Sequence, residues 1–546
     1  MLDESLLPSL TASEIAALSA WGSRRKVSAG EYLCREGDTT YHFSVVLAGL
    51  VEVIISAHDE ERVIARHGPG GFLGELNLIT GLRAFASARV AESGEVLAVP
   101  APGLRRVIAT QPKLSDKILA TFMARRSALL TGAAPTTRVV GSQFSPESLR
   151  IREFLARSLV PHEWLDLDAD PQVGHVLGDL QIKPSELPVV ISSGSVLRRT
   201  TPGGLAEYLG LTVPSLPERS VDLLIVGAGP AGLAAAVYGA SEGLRTLIVD
   251  MLACGGQAGT SSRIENYFGF PTGISGSQLA ERGLVQAEKF GARLSVPCAA
   301  VTMRDEAGHL LVELSDGTAV AGRAVIVATG AHYRRLEVAR LADFEGRGVY
   351  YAATDVELQQ CQGQPVIVAG GGNSAGQAAA FLAGEGNPVT VIIRGPALSA
   401  SMSRYLVDRL ESHPGIRILT ETRIVGLDGD ETLRSVLVAG PEGEAVLPCG
   451  GLFSFIGTNP QSAWLSECAA RDDRGFILTH RSLADDQLDQ GWRVLGRRPL
   501  PFETSHPGLF AVGDVRAGST KRVAAAVGEG SAAVGSVHEY LAFAAR

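Results

Sequence analysis

No Cys-x-x-Cys occurs in the 546 residues, and the six cysteines (Cys34, Cys254, Cys298, Cys361, Cys449 and Cys468) are widely dispersed. The dispersal excludes a local dithiol and a Cys-x-x-Cys zinc site, and no metal is expected. It fits a reducing compartment in which cysteine serves as a small apolar residue. Long apolar runs are also missing, since no stretch reaches the roughly 18 uninterrupted apolar residues of a membrane span. The opening MLDESLLPSL is acidic and lacks the basic and apolar regions of a secretory leader, so a cytoplasmic location and no membrane partner are expected. Basic excess is absent too. The 49 Lys and Arg against 58 Asp and Glu leave a formal charge of −9, which disfavours a nucleic-acid partner whose phosphates need neutralising. Neither a short-period repeat nor a low-complexity tract is present.

What remains is globular composition, 45% hydrophobic and 20% charged, over a length that predicts three or four domains. Glycine is abundant at 63 residues, which points to tight turns or close backbone approach to a ligand. Residues 1–132 read as short β-segments (KVSAGEYLCREGD, HFSVVLAGLVEVIIS, EVLAVP) followed by a helix from Ser115 to about Leu130. After the linker TGAAPTTR, residues 137–213 alternate strand and helix in a compact βαβ-type unit. A second linker, TVPSLPERS, precedes two glycine-rich strand-to-helix turns.

In the first turn an apolar strand runs into Gly227-x-Gly229-x-x-Gly232, a helix follows, and the next strand ends in Asp250. The first glycine permits the tight turn, the second lets backbone amides approach a pyrophosphate, and the third allows close helix packing. Asp250 can accept from a ribose hydroxyl. The second turn, Gly370-x-Gly372-x-x-Ala375, has the same register, but its following strand ends in Arg394, which suits a 2′-phosphate. FAD is therefore expected at the first turn and NADPH, ahead of NADH, at the second.

With GAGPAG (Gly227, Gly229, Pro230, Ala231, Gly232), GGQ at Gly255–Gln257, IENYFGFP at Ile264–Pro271, ATG at Ala328–Gly330, GGGNSA at Gly370–Ala375 and the Gly513–Asp514 pair, residues from 221 onward resemble the low-molecular-weight thioredoxin reductases and their relatives. The resemblance implies two Rossmann-like, three-layer nucleotide-binding domains: an FAD domain split over 220–335 and 456–546, and an NADPH domain at 336–455. It implies that Asp514 binds the FAD ribityl chain and that Lys521, Arg522 and Val523 lie by the flavin pyrimidine edge. Gly256, Gln257 and Asn266 would line the flavin, Thr329 and Gly330 would close the first nucleotide half, and Asn373, Ser374 and Ala375 would cap the NADPH site.

Two departures are visible. Where the family carries its redox Cys-x-x-Cys, this chain has Ala352 and Asp355, so a relay through an internal dithiol is not expected. Asp355 becomes a candidate proton donor by position. Cys361 reads as a buried small residue at the start of a strand. Where the family carries its arginine cluster for the 2′-phosphate, only Arg394 is in place, with Arg404 as a second candidate.

Residues 137–213 resemble a glutaredoxin or thioredoxin fold: Ser145-Pro146-Glu147-Ser148 heads a helix where that family carries Cys-Pro-x-Cys, and Leu187-Pro188 followed by VVIS matches its cis-proline strand. With serine at both cysteine positions the unit is expected to be redox-silent, serving either as a spacer or as a docking element. Residues 1–132 resemble a cyclic-nucleotide-binding β-roll with a trailing helix, through Gly74-Glu75-Leu76, Arg83-Ala84, the Arg35–Asp38 segment and a Gly49-x-Val51 turn. That resemblance places Glu75 on a ribose 2′-hydroxyl and Arg83 on a cyclic phosphate. Phe85 stands where a small residue is usual, and a packing or dimerisation role is the alternative. A helix-turn-helix regulator is rejected because an acidic unit follows the helix.

The expected function is NAD(P)H-dependent FAD oxidoreduction, in a homodimer, to an acceptor such as a quinone, a redox protein or a small molecule. The rival readings are a ferredoxin or flavodoxin reductase of related type and a ligand or redox sensor with a flavoprotein output.

Overall fold

The computed structural model describes residues 6–57, 60–74, 77–80, 83–132, 137–158, 160, 162–170, 173–192, 195–209, 211, 220–261, 263–306, 308–465, 468–488, 492 and 495–544. They fall into two compact units: Met1–Arg219 with Gly239–Ala253 and Leu284–Ala299, and Ser220–Tyr238 with Cys254–Gly283 and Ala300–Arg546.

The first unit begins with helix α1 (Ala12–Ser19) and strands β1 (Ser23–Val27), β2 (Tyr32–Cys34), β3 (His42–Ala57), β4 (Glu60–His67) and β5 (Phe72–Leu73), then α2 (Asn77–Thr80), β6 (Ser87–Pro100), α3 (Ala101–Thr110) and α4 (Pro112–Gly132). The sheet runs β1-β6-β3-β4, with β2 on β6 and β5 on β3. The strands β3 and β6 are longer than the short segments expected, because register shifts at Ala48 and Leu50 let them stay paired while twisting. Gly49 sits in that irregular stretch at φ +87°, where a Cβ would lie 2.5 Å from the Glu92 carbonyl oxygen, so it forms a bulge rather than the expected turn. The trailing helix starts at Pro112, earlier than Ser115, and the amphipathic α3 precedes it. Phe43, Phe72 and Phe122 pack at centroid separations of 5.5 to 6.5 Å in the core beneath the sheet.

The same unit continues with β7 (Thr137–Gly141), α5 (Pro146–Arg157), β8 (His162–Asp166), α6 (Val173–Asp179), β9 (Val189–Ser192), β10 (Ser195–Leu197) and α7 (Pro202–Leu209). Strands β7 and β8 are parallel, and β9 and β10 add antiparallel, in the order β10-β9-β7-β8. Neighbouring residues alternate between the faces, as a pleated strand requires. Val139 joins a core with α5 and α7, while Val140 joins one with α6. Leu187–Pro188 is cis.

The second glycine-rich half supplies β11 (Ser220–Val226), α8 (Pro230–Ser241), β12 (Thr246–Val249), α9 (Gly276–Lys289), β13 (Arg293–Ser295), β14 (Ala300–Glu306), β15 (His309–Leu314), β16 (Ala319–Val327) and β17 (Ala331–Tyr333). Parallel β12 and β13 pair with each other, and Val285 of α9 packs in the phenylalanine core described above. In the second unit β11 pairs in parallel with β16, which also carries antiparallel β15 and, further on, β14.

Next come α10 (Leu341–Phe344), β18 (Val349–Tyr350), α11 (Asp355–Cys361), β19 (Val366–Ala369), α12 (Asn373–Gly384), β20 (Val389–Ile392), α13 (Arg404–Ser412), β21 (Ile416–Leu419), β22 (Arg423–Gly429), β23 (Leu433–Gly440), β24 (Gly443–Pro448), β25 (Gly451–Ser454) and β26 (Thr458–Pro460). They form a parallel sheet β18-β25-β19-β20-β21, an antiparallel sheet β22-β23-β24 and a β17–β26 ribbon. Four-residue apolar strands such as Val366–Ala369, buried throughout, are what a central parallel position demands. The chain ends in β27 (Leu509–Ala511), paired with β16, and α14 (Val523–Ala544). Among the described residues no helix is long and apolar enough to cross a membrane.

Candidate functional site

The first glycine turn is enforced by backbone crowding. Gly227 takes φ +113°, and a Cβ there would lie 2.3 Å from the Ala328 carbonyl oxygen. A Cβ on Gly232 would lie 1.8 Å from the Gly227 carbonyl oxygen, so only glycine lets α8 start so close to the strand. Gly229, by contrast, faces open space apart from Gly256 Cα at 3.8 Å, which leaves the amide-rich start of α8 accessible to an anion. Gly255 N donates to Ala228 O at 2.8 Å and holds the Gly255–Gln257 segment against the turn. Gln257 donates through Nε2 to Ala331 O.

Thr329 Oγ1 donates to Gln461 O at 2.7 Å, and Gln461 N returns a bond to Gly330 O at 3.1 Å. A Cβ on Gly513 would lie 3.0 Å from Ala231 Cβ, so the Gly513–Asp514 turn abuts Pro230–Gly232. The structure thus gathers Gly227, Gly229, Pro230, Ala231, Gly232, Gly256, Gln257, Thr329, Gly330, Gly513 and Asp514 at one place. Asn266 lies exposed in the loop closed by the Ile264–Ile274 bridge, and its neighbour Glu265 pairs with Arg409 of α13 at 2.8 Å. Asp250, at the end of β12, accepts through Oδ1 from Leu252 N at 2.9 Å and Ala253 N at 3.2 Å.

Burial raises the Asp514 carboxyl above the usual range; the Lys521 ammonium opposes that shift and Glu529 adds to it. Lys521 is shifted down, chiefly by burial, and its Nζ donates to the Asp514 carbonyl. Arg522 is exposed and Val523 opens α14. Sequence reasoning missed the residue that fixes this turn. Glu529 accepts from Gly513 N at 2.7 Å, from Arg516 Nε at 3.0 Å and from Arg516 Nη2 at 2.6 Å. Its sequence signal is an acid in the glycine- and alanine-rich first half of the helix, in VAAAVGEGSAA.

The second turn repeats the construction. Gly370 has φ +138°, and a Cβ there would lie 2.3 Å from the Phe455 carbonyl oxygen; Gly372 has nothing within 4 Å of a Cβ and precedes α12. Ala375 is fully buried and Ser374 exposed. Asn373 Oδ1 accepts from Ser403 N at 2.7 Å, and Ser401 Oγ donates to Gly371 O at 2.8 Å, so the serine-rich loop is tied to the turn. Arg394 is exposed at the end of β20, whereas Arg404 is held by Asp408 one helical turn on, at 2.8 Å.

Ala352 is half-buried, and Asp355 is exposed at the start of α11. Cys361 is fully buried at the end of α11, not at the start of a strand as its sequence suggested. Its Sγ donates to Glu357 O at 3.3 Å, and burial, reinforced by Glu357, pushes the thiol up to about 12. Burial likewise pushes Cys449 up to about 12. None of the six cysteines is in a disulfide, and no metal-holding cluster occurs among the described residues.

In the N-terminal domain, Gly74 O accepts from Arg125 Nη1 at 3.2 Å. Ala84 N donates to Asp38 O at 3.0 Å and Ala84 O accepts from Gly37 N at 2.8 Å, which brings Arg83–Ala84 onto the Arg35–Asp38 turn. Glu75 lies outside the described residues.

Residues 221–530 match the pyridine nucleotide-disulphide oxidoreductase family, more than half of the chain. The chain belongs to that family. Residues 24–111 match the cyclic nucleotide-binding domain. Among curated relatives, the chain is similar to the thioredoxin reductase of Treponema pallidum, 34% identical over 332 residues that span 59% of this chain and 98% of the relative. It is also similar to that of Listeria monocytogenes, 32% identical over 343 residues, 59% of this chain and 95% of the relative. A crystal structure of T. acidophilum thioredoxin reductase matches 59% of this chain and 99% of its own at 28% identity, with a TM-score of 0.52.

As a member of this oxidoreductase family, the protein is an FAD-dependent, thioredoxin-reductase-like enzyme that uses FAD and NADPH. Its residues fit both groups: each glycine turn leaves its middle glycine open to a phosphate at a helix start, and a half-buried carboxyl stands at Asp514.

Proposed function

We propose that the chain carries reducing equivalents from NADPH through FAD to an acceptor outside the chain, with no dithiol of its own. When bound, FAD and NADPH supply the redox chemistry, a hydride transfer between nicotinamide and flavin. The protein's part is positioning. Amides of the Gly227–Gly232 turn and the start of α8 hold the FAD pyrophosphate, Asp250 accepts from its ribose, and Asp514 orients the ribityl chain beside Lys521, Arg522 and Val523. Gln257 and Asn266 border the flavin ring. Amides of Gly370–Ala375 hold the NADPH pyrophosphate and Arg394 its 2′-phosphate; Arg404, engaged by Asp408, plays a secondary part.

The observation that carries the reading is the absence of any Cys-x-x-Cys from the 546 residues, with Ala352 and Asp355 at the positions where the family resemblance expects the pair, and it is supported by the burial of Cys361, which pushes its thiol up. Burial keeps that thiol protonated at neutral pH, whereas a relay nucleophile is a thiolate. Asp355, exposed at the second cysteine position, is the group assigned to proton handling there. Residues 220–335 with 456–546 form the FAD domain and 336–455 the NADPH domain. Residues 137–213 form a cysteine-free thioredoxin-like module, supported by the parallel β7–β8 pair with antiparallel β9 and β10. Residues 1–132 are regulatory.

The test is stopped-flow reoxidation of NADPH-reduced enzyme by a quinone, ferredoxin, thioredoxin and oxygen. The reading expects a non-thiol acceptor to be fastest; thioredoxin as the fastest would overturn it.

A further inference from the structure

The segment that resembles a cyclic-phosphate cassette is occupied by the protein itself. Arg83 donates through Nε to the backbone carbonyl of Tyr208, near the end of α7 in the middle module, and through Nη1 to Gly37 O at 3.1 Å. Its guanidinium carbon lies 4.7 Å from the centroid of the Tyr208 ring. Two residues on, Phe85 packs against the core made by Val139, Ile151, Phe154, Leu205 and their neighbours, which belongs wholly to the middle module. Arg126 of α4 covers the same phenyl ring at 5.9 Å and donates to Ser158 O, just past α5, at 3.3 Å.

Three kinds of interaction therefore converge from one short stretch onto one module. They are a charge-assisted hydrogen bond to a carbonyl, a cation–π stack and an apolar plug. A large aromatic in place of the usual small residue has its physical reason here, because a small side chain would leave the module's core unfilled. A phosphate oxygen and the Tyr208 carbonyl oxygen are both acceptors, and with Nε–H on Tyr208 O, Nη1 on Gly37 O and the Tyr208 ring against the guanidinium, a phosphate that takes the Nε edge competes with α7.

We propose that Arg83–Phe85 is a latch that docks the cysteine-free module onto the N-terminal domain. The end of α7 takes the acceptor position of an anionic ligand at the Nε edge of Arg83, so that a cyclic nucleotide binding there competes with α7 and favours its undocking. The latch operates whatever the electron acceptor proves to be.

Peptide-resolved hydrogen exchange on the full-length chain tests it, comparing wild type, Arg83→Ala and Phe85→Ala, each with and without 1 mM cyclic AMP or cyclic GMP. Flavin absorbance per chain serves as the folding control. Exchange in residues 202–209 should rise about tenfold in each variant, as expected when one docking contact of an otherwise folded segment is removed. Unchanged exchange there in both variants overturns the latch. So does saturable nucleotide binding to wild type, lost in Arg83→Ala, that leaves residues 202–209 as protected as before.

Discussion

Arg394 stands exposed where β20 ends, with its charge available to a ligand, while Arg404 spends its guanidinium on Asp408. A guanidinium on a 2′-phosphate forms charge-assisted bonds worth about 1.5–3 kcal/mol, so Arg394→Ala should cut the ratio of kcat/KM for NADPH over NADH by about tenfold or more. Arg404→Ala should change it less, since a helix-surface pair with Asp408 must first be broken. An unaltered ratio in Arg394→Ala would remove the 2′-phosphate assignment.

Residues such as Gly227 and Gly370 were readable in the sequence because a single backbone conformation, φ above +100°, excludes every other side chain. The chemistry of Cys361 was readable only in part. Its neighbours marked it as a small apolar residue, but the helix runs through it and stops at the turn containing Gly363, at φ +72°, before the strand begins at Val366.

The strand–turn–helix units β11–α8 and β19–α12 were legible because each is local: an apolar strand, a glycine turn and a helix follow one another within 30 residues. The Gly513–Asp514 turn differs. Its geometry is set by Glu529, whose part shows only once α14 is folded back, since the acid then accepts from both the Gly513 amide and Arg516. Glu529→Gln keeps the shape of the side chain and removes its charge, weakening the bidentate pair with a partly buried arginine. The expected result is an FAD dissociation constant raised by about tenfold, read by fluorescence of the released flavin. Arg516→Lys should fall on the same side, because an ammonium cannot make the two-pronged contact. The long strands β3 and β6 were read as short segments for a related reason. A bulge at Gly49 has the local signature of a turn, and only pairing with β6 shows the strand continuing through it.

On the scale of the whole molecule, a two-nucleotide oxidoreductase body follows a β-rich nucleotide-binding-like domain and a cysteine-free α/β module. The order of these parts was legible from glycine motifs and strand–helix alternation. The packing of Phe85 into the middle module was not, because that contact joins residues more than 50 positions apart and has no periodic signal.

The central claim is that reducing equivalents leave the flavin without passing through a thiol of this chain. Its most direct measurement is NADPH-dependent turnover before and after exhaustive alkylation under mild denaturation and refolding with FAD, or equivalently in a variant with all six cysteines replaced by serine or alanine. Turnover with ferricyanide or a quinone should stay within about twofold of the untreated enzyme, and reduction of thioredoxin should be slow in both, since a relay needs a thiolate beside the flavin. Rapid thioredoxin reduction by the untreated enzyme, abolished when the cysteines are blocked or replaced, would contradict the account.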